Sequence, residues 1–289
     1  MPMMFLLPSE PLNTKKVDSD FQKEYEALKK MDFKVYLYDH DQFVSYKQLI
    51  SDIDFSQPGR MILRSWMLKD SEYKELYSVL SRNKITLINS PEQYLNCHYY
   101  PNVYQHIKEY APNSIWFDNI DEMIVSICRN NIGNDIIIKD YVKSEKGFDD
   151  IFFLEKSLSP SEFYERVLKF KESRGKLFNE GIVFKEFCPL KKYGNKTNEY
   201  RYFILERKVI SCFQNTELGF GEKPICHFIN DIINQIDSNF FTIDVAEKED
   251  GSWMILECGD GQVSGLPRNQ SEFIFYSSFL RFQETNTKN

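Results

Sequence analysis

Short apolar runs alternate with charged, periodic stretches along the first third of the chain. MMFLL, FKVYLY (33–38), RMILRSWML (60–68) and KITLIN have the length and the β-branched and aromatic content of strands. Between them, FQKEYEALKKM sets Phe21, Tyr25 and Leu28 at helical spacing behind Asp18 and Ser19 as caps, and SEYKELYSVLSRN reads as a second helix. Strands alternating with helices predict a small parallel α/β unit over residues 1–92.

Past that point the rhythm changes. Ser90-Pro91 predicts a helix start, proline being favoured at the first helical position. After IWFDN and a helix near 121–129, NIGNDIIIKDYVKSEKGFDD reads as a strand followed by a polar loop. SPSEFYERVLKFKESRG predicts a helix with a serine cap and a glutamate in its first turn. GIVFKEFCPL and TNEYRYFILERKVISCFQN predict strands, and HFINDIINQID a helix. GNKTN (194–198) and the terminal ETNTKN read as flexible pieces.

FTIDVAEKEDGSWMILECGDG (241–261) predicts a β-hairpin closed by a two-residue type I′ turn at Asp250-Gly251. Glu249 then pairs with Ser252, and counting back sets Asp244 opposite Glu257 on one face, with Cβ atoms roughly 5 Å apart. Like charges so opposed destabilise a sheet. One resolution is a solvated face on which the charges are tolerated or the register is shifted. The other is a divalent cation, since Mg²⁺ takes oxygen ligands from one or two carboxylates and from substrate phosphates. The apolar neighbours Ile243, Val245, Ile255 and Leu256 favour the cation, because unpaired carboxylates are costly in a part-buried hairpin. Asp260 follows as a third acid expected within reach of the same ion.

Composition narrows the classes. With 289 residues, 42% hydrophobic and 15% aromatic, the chain can bury a core as one large or two modest domains. A net charge of -7 argues against binding nucleic acid or an anionic membrane through bulk charge. Six scattered cysteines without a CxxC pair fit reduced thiols in a cytoplasmic protein, and four dispersed histidines argue against a His-rich metal site. MPMMFLLPSEP lacks the basic region and the apolar length of a signal peptide, and no run approaches the ~20 apolar residues of a membrane helix.

Mg²⁺ bound to carboxylates usually implies a nucleotide, so phosphate ligands are expected elsewhere. There is no GxxxxGK[ST] loop, and Gly219 with Gly221 is a weak signal alone. Lysines, however, end two apolar strands. Lys139 follows three isoleucines with Lys143 beyond it, and Lys185 follows Ile-Val-Phe. A strand-end lysine is often only a snorkelling side chain, but two such strands beside an acidic hairpin suggest more. SEKGFDD, after Lys143, is either a surface turn or a loop that closes over phosphates.

In this order, a lysine-ended strand with its loop, a strand ending in Lys-Glu, Glu199-Tyr200-Arg201, and a final Asp…Glu-x-x-Asp hairpin resemble the ATP-grasp superfamily. IKDYVKS, EYRYFIL and TIDVAEKEDGSWMILECGDGQVSGLP resemble the clade of that superfamily named for an arginine-to-lysine change. The resemblance implies an α+β ATP-grasp fold over 93–289, with subdomains of about 93–184 and 185–289 gripping ATP, behind a pre-ATP-grasp α/β domain at 1–92. It implies Lys139 at the α and β phosphates, Lys143 near a mobile loop, Lys185 near the adenine, and Glu186 and Phe187 opening the hinge that reads the base. It places Glu199 near the ribose, Arg201 near the phosphates or an acyl-phosphate, and Asp244, Glu257 and Asp260 around Mg²⁺. Asp260 stands where many members have asparagine. Gln262, Ser264 and Arg268 would line the acceptor pocket, and Arg64, Trp66, His98 and Tyr99 are candidates for the second substrate, Arg64 taking its carboxylate. The implied activity is an ATP- and Mg²⁺-dependent ligase that joins a carboxylate to an amine or thiol of an amino acid, peptide or protein. Phosphoryl transfer to a small molecule and a non-catalytic nucleotide-binding module are the alternatives.

Overall fold

In this computed structural model the chain is described over residues 3–142, 152–216, 218, 219, 221, 223, 224 and 227–287. It begins with β1 (Met3–Glu10), β2 (Asn13–Val17), α1 (Gln22–Lys30), β3 (Lys34–Tyr38), α2 (His40–Tyr46), β4 (Gly59–Leu63), α3 (Asp70–Arg82) and β5 (Ile85–Leu87). β1 pairs in parallel with β3 on one side and β4 on the other, β5 extends the sheet, and β2 folds back on the end of β1. Later strands flank β1 on both sides, so the winding reverses there and a crevice opens at the strands' carboxyl ends. The strand expected over 60–68 stops at Leu63. Arg64 N still donates to Leu6 O at 2.9 Å, and the chain then turns so that the Arg64 guanidinium is buried. α2, which no periodicity marked, is capped by Asp39, whose side chain accepts from Gln42 N at 3.0 Å.

α4 (Pro91–His98) starts as predicted, with Ser90 and Gln93 capping reciprocally, and α5 (Tyr100–Ile107) follows. Next come β6 (Ser114–Phe117), α6 (Met123–Asn131), β7 (Ile136–Asp140), β8 (Phe153–Leu154), α7 (Pro160–Arg174) and β9 (Ile182–Glu186). The four strands form an antiparallel sheet in the order β6-β9-β7-β8. Ile136, Ile138, Ile182 and Phe184 pack in one core with Phe163, Val167 and Phe170 of α7. Alternation therefore turns Lys139 and Lys185 to the opposite face.

The last part holds β10 (Lys192–Tyr193), β11 (Lys196–Thr197), β12 (Glu199–Leu205), β13 (Lys208–Gln214), α8 (Ile229–Gln235), β14 (Phe240–Glu247), β15 (Trp253–Asp260) and α9 (Glu272–Thr287). β13-β12-β14-β15 is an antiparallel sheet with apolar residues on both faces. Tyr202, Ile204, Ile243 and Val245 pack against α5 and α8. Phe203, Leu205 and Phe240 share a core with Phe5 of β1 and Phe275 and Phe279 of α9. Each such buried aromatic stabilises by about 1.5–3 kcal/mol, so α9 ties the first sheet to the last. Two segments read as flexible carry regular structure over their described residues. Residues 194–198 belong to the β10-β11 hairpin and its exit, where Asn198 is fully buried and donates to Glu247 at 2.8 Å, and α9 runs on to Thr287. Lys143 and the SEKGFDD loop lie outside the described residues. None of the described cysteines forms a disulfide, and no described helix is long and apolar enough to cross a membrane.

Candidate active site

The acid pair exists, but two departures from the expected hairpin cancel to produce it. The Gly251 N–H donates to Lys248 O at 2.9 Å and Gly251 has φ +80, giving a loop one residue longer than a type I′ turn. Glu247 therefore pairs with Trp253 and Val245 with Ile255. A β-bulge then leaves Leu256 without a partner on β14, and Asp244 comes opposite Glu257. Without the bulge Glu257 would face the core beside Ile243. β15 is the sheet edge, and the Leu256 carbonyl accepts from Lys185 Nζ.

Both acids meet cations. Arg201, directly opposite Asp244 on β12, grips it with Nε–Oδ1 at 2.8 Å and Nη2–Oδ2 at 2.6 Å, and its Nη1 donates to Gly265 O at 2.7 Å. Lys139 pairs with Glu257. Ile137 pairs with Lys185 and Lys139 with Val183, so the two lysines are diagonal neighbours, their ammonium groups 5.2 and 5.1 Å from the Tyr100 ring centroid. Burial, and then Lys139, lowers the Lys185 pKa to about 8. Glu257 lies below the usual carboxylate range: burial opposes its charge, and Lys139, Lys185 and Arg201 outweigh burial. The protein's own cations thus answer the repulsion between the acids. Three cations against two carboxylates leave the cluster with a surplus positive charge, which suits phosphate.

Asp244, Glu257, Arg201, His98 and Ser264 line one cavity of about 370 Å³. Gly259 keeps its floor bare, since a Cβ there would stand 3.1 Å from Ser264 Oγ and 3.2 Å from Thr242 Oγ1. His98 lies against Tyr94, with ring centroids 4.6 Å apart. Tyr94 Oη donates to Leu68 O at 2.7 Å, so His98 Nε2 is the donor in its 3.3 Å contact with that hydroxyl.

Other predicted residues are engaged elsewhere. Asp260 also borders this cavity, but it lies an odd number of residues from Glu257, so alternation turns its side chain to the other face, where it is fully buried and accepts from Asn89 Nδ2 at 2.5 Å and from Gln262 N at 2.9 Å. Burial raises its pKa to about 7 despite those bonds. Among the described residues no three of His, Cys, Asp and Glu cluster to hold a metal, which removes the three-acid site and leaves the Asp244–Glu257 pair. That pair fits Mg²⁺, which needs only one or two protein carboxylates beside phosphates and water. Arg64 is not available to a substrate carboxylate. It pairs with Glu24 at 2.9 and 3.1 Å and donates to Gly261 O at 2.5 Å and Ser264 O at 2.8 Å. Gln262 is fully buried between Leu63 N and Tyr73 Oη, and so is also no substrate ligand. Arg268 is exposed and lines neither this cavity nor the larger one beside it. Glu199 accepts from Thr197 Oγ1 at 2.5 Å, and Tyr99 is half-buried 6.1 Å from the Tyr141 ring. The Glu186 and Phe187 N–H groups already donate to Asn113 O at 2.8 Å and Asp135 O at 2.7 Å, so neither donor is open to a base edge. Sequence reasoning missed Tyr100 as the ring under both lysines and the Leu256 carbonyl. The aromatic run at 99–104 was the signal for the first, and the second had none.

The model of one ATP-grasp domain family, family 3 of the clade named for an arginine-to-lysine change, matches residues 131–278, just over half of the chain. The chain belongs to that ATP-grasp family. No curated protein matches it. Solved structures show the same fold. The ATP-grasp ligase PsnB complexed with minimal precursor superposes with TM-score 0.59 at 13% identity, covering 98% of this chain and 100% of that one. The RimK domain ATP-grasp protein from Sphaerobacter thermophilus gives 0.61 at 13% identity, covering 96% and 98%. D-alanyl-alanine synthetase A from Vibrio cholerae gives 0.56 at 9% identity, covering 98% and 97%.

Proposed function

We propose that this protein is an ATP- and Mg²⁺-dependent ligase that joins a carboxylate to an amine or thiol through an acyl-phosphate. The observation that carries this reading is the cluster of Lys139, Lys185 and Arg201 around the facing Asp244 and Glu257. Its support outside this chain is that the similar structures include an ATP-grasp ligase, in one case complexed with minimal precursor, Mg and ADP. Asp244 and Glu257 are the residues to hold Mg²⁺. Once bound, it supplies charge that neutralises phosphate oxygens.

The protein's part is positioning and charge, which is most of what phosphoryl transfer needs. Phosphates arriving at Lys139, with the Lys185 charge beside it, exchange the Glu257 contact for their own and release that carboxylate. The substrate carboxylate oxygen bonds to the γ-phosphorus as the bond to the bridging oxygen breaks and ADP leaves. Arg201 is placed to stabilise the charge on the transferred group. The amine then attacks the acyl carbon, and phosphate leaves as the nitrogen gives up its proton. In this reading residues 1–92 and 93–184 contribute walls of the cleft, and 185–289 carries the acid pair.

The test is ADP release with Mg²⁺ across a panel of amino acids and peptides. Asp244→Ala is expected to lower turnover by about 10²–10³-fold, and full turnover in that variant would discard the metal assignment. ADP release without a new amide or thioester would favour phosphoryl transfer instead, and ATP binding without turnover a non-catalytic module.

A further inference from the structure

A larger cavity, about 980 Å³, opens at the carboxyl ends of β3 and β4. It adjoins the acid-pair cavity, with Met67, Val263, Ser264 and Gly265 lining both. Its wall includes Phe21, Trp66, Leu68 and Leu177. Trp66 is 43% and Leu177 67% exposed, and Trp66 meets the Phe21 ring edge-on at 5.1 Å. Large apolar side chains left open at a cavity are surface that a ligand's apolar face would cover.

One uncharged polar cluster is buried at this wall. Tyr38 Oη lies 2.6 Å from Ser65 Oγ, and His40 Nδ1 lies 3.0 Å from the first and 3.3 Å from the second. Tyr38 and Ser65 are buried. Both hydroxyl protons find acceptors within this triangle only if Nδ1 accepts one of them. The ring proton therefore sits on Nε2, and His40 lines the cavity. Burial, against the pull of Asp41 and Glu72, keeps the imidazole pKa low, so this donor is neutral. The buried charges of the wall are matched inside the protein, Arg64 with Glu24 and Arg174 with Asp140. The remaining charges of the lining face solvent and balance, Lys23, Lys69 and Lys176 against Asp20, Glu72 and Glu272, so neither a carboxylate nor an ammonium meets an unmatched buried partner here. The volume is at the upper end of the ~300–1,000 Å³ of ligand pockets, room for several residues.

We infer that this cavity recognises a neutral peptide segment: a bulky apolar side chain rests on Trp66 and Phe21, and a neighbouring carbonyl accepts a hydrogen bond from His40 Nε2. The segment runs past Met67 and Ser264, which sets its reacting end at the acid pair. Only the fate of that end rests on the ligase reading.

The chain has three tryptophans, so three indole N–H resonances report on it, and Trp66→Phe assigns one. N-acetylphenylalaninamide is expected to shift the Trp66 resonance and leave the other two unmoved. His40→Ala should weaken that binding about fivefold to tenfold. His40→Gln, which keeps a donor, should stay within about twofold of the native protein, a rescue that a merely structural role would not give. N-acetylaspartate should bind at least about tenfold more weakly than the neutral probe. A silent Trp66 resonance in the folded protein overturns the inference, as does equal binding in His40→Ala. Asp244→Ala is expected to keep the Trp66 shift while losing ADP release. If the native protein shows the shift but no ADP release with any acceptor, the ligase reading fails and the recognition site stands.

Discussion

Two charged clusters lie around β15 and its exit, and they differ in what completes them. Around Arg64, every strong group meets another protein group: Glu24 on one side, the carbonyls of Gly261 and Ser264 on the other, with Tyr276 Oη donating to Glu24. Asn89, Asp260 and Gln262 form a similar closed set beside it. Around Glu257, Lys139 and Lys185 sit over one tyrosine ring, and Arg201, Asp244 and Glu257 border a cavity. The first arrangement is closed within the protein, and the second borders open space, as the proposed ligand site requires. Carboxylates, an arginine and a tyrosine occur in both. Only the count of partners separates structure from site.

The contrast is broken most forcefully at Arg64. Arg64→Ala strands Glu24 as a buried charge, and a loss of roughly 3–5 kcal/mol of folding stability is expected. Urea denaturation measures it. A variant that unfolds at the native midpoint yet no longer binds ligand would move Arg64 into the site.

Lys185 sharpens the comparison more gently, because its two roles oppose each other with pH. Its folded pKa is lowered from 10.5 to about 8, by burial and then by Lys139. Between those values the unfolded chain binds more protons than the folded one, so folding stability rises with pH through that window. Phosphates favour the charged lysine, so ATP affinity is expected to fall, by about tenfold between pH 7 and pH 9. Calorimetric titration of ATP and urea midpoints at the two pH values check the pair of trends, and Lys185→Met should abolish both. Parallel trends would contradict the assignment.

The smallest effect is expected at Arg268. It is exposed and outside both cavities, so Arg268→Ala should change stability by no more than about 0.5 kcal/mol. Turnover should be unchanged in the ADP-release assay, and a clear loss would extend the site along the chain beyond Gly265.

How much was legible depended on whether the information was local. IIIKD and IVFKE gave away both their strands and the lysines on the polar face, because period-two alternation is a property of consecutive residues. Arg64 and Gln262 read as substrate ligands because guanidinium and amide groups suit that use. Their partners, Glu24, Tyr73 and the carbonyls beyond Gly261, are distant in sequence, and no spacing reveals them. Asp260 failed for a related reason: one step of alternation separates a ligand face from a buried one.

Local pattern along the chain was enough for the parallel start, the α+β remainder and the opposition of Asp244 to Glu257, though it left α2 unmarked. That opposition survives because the turn is one residue longer than type I′ and the bulge at Leu256 offsets it. Tertiary structure alone decided the bulge at Leu256, the cations that hold each acid, and the cavity at the carboxyl ends of β3 and β4. Each depends on packing between segments far apart in the chain, where burial makes an unmatched charge or carbonyl costly and so selects its partner.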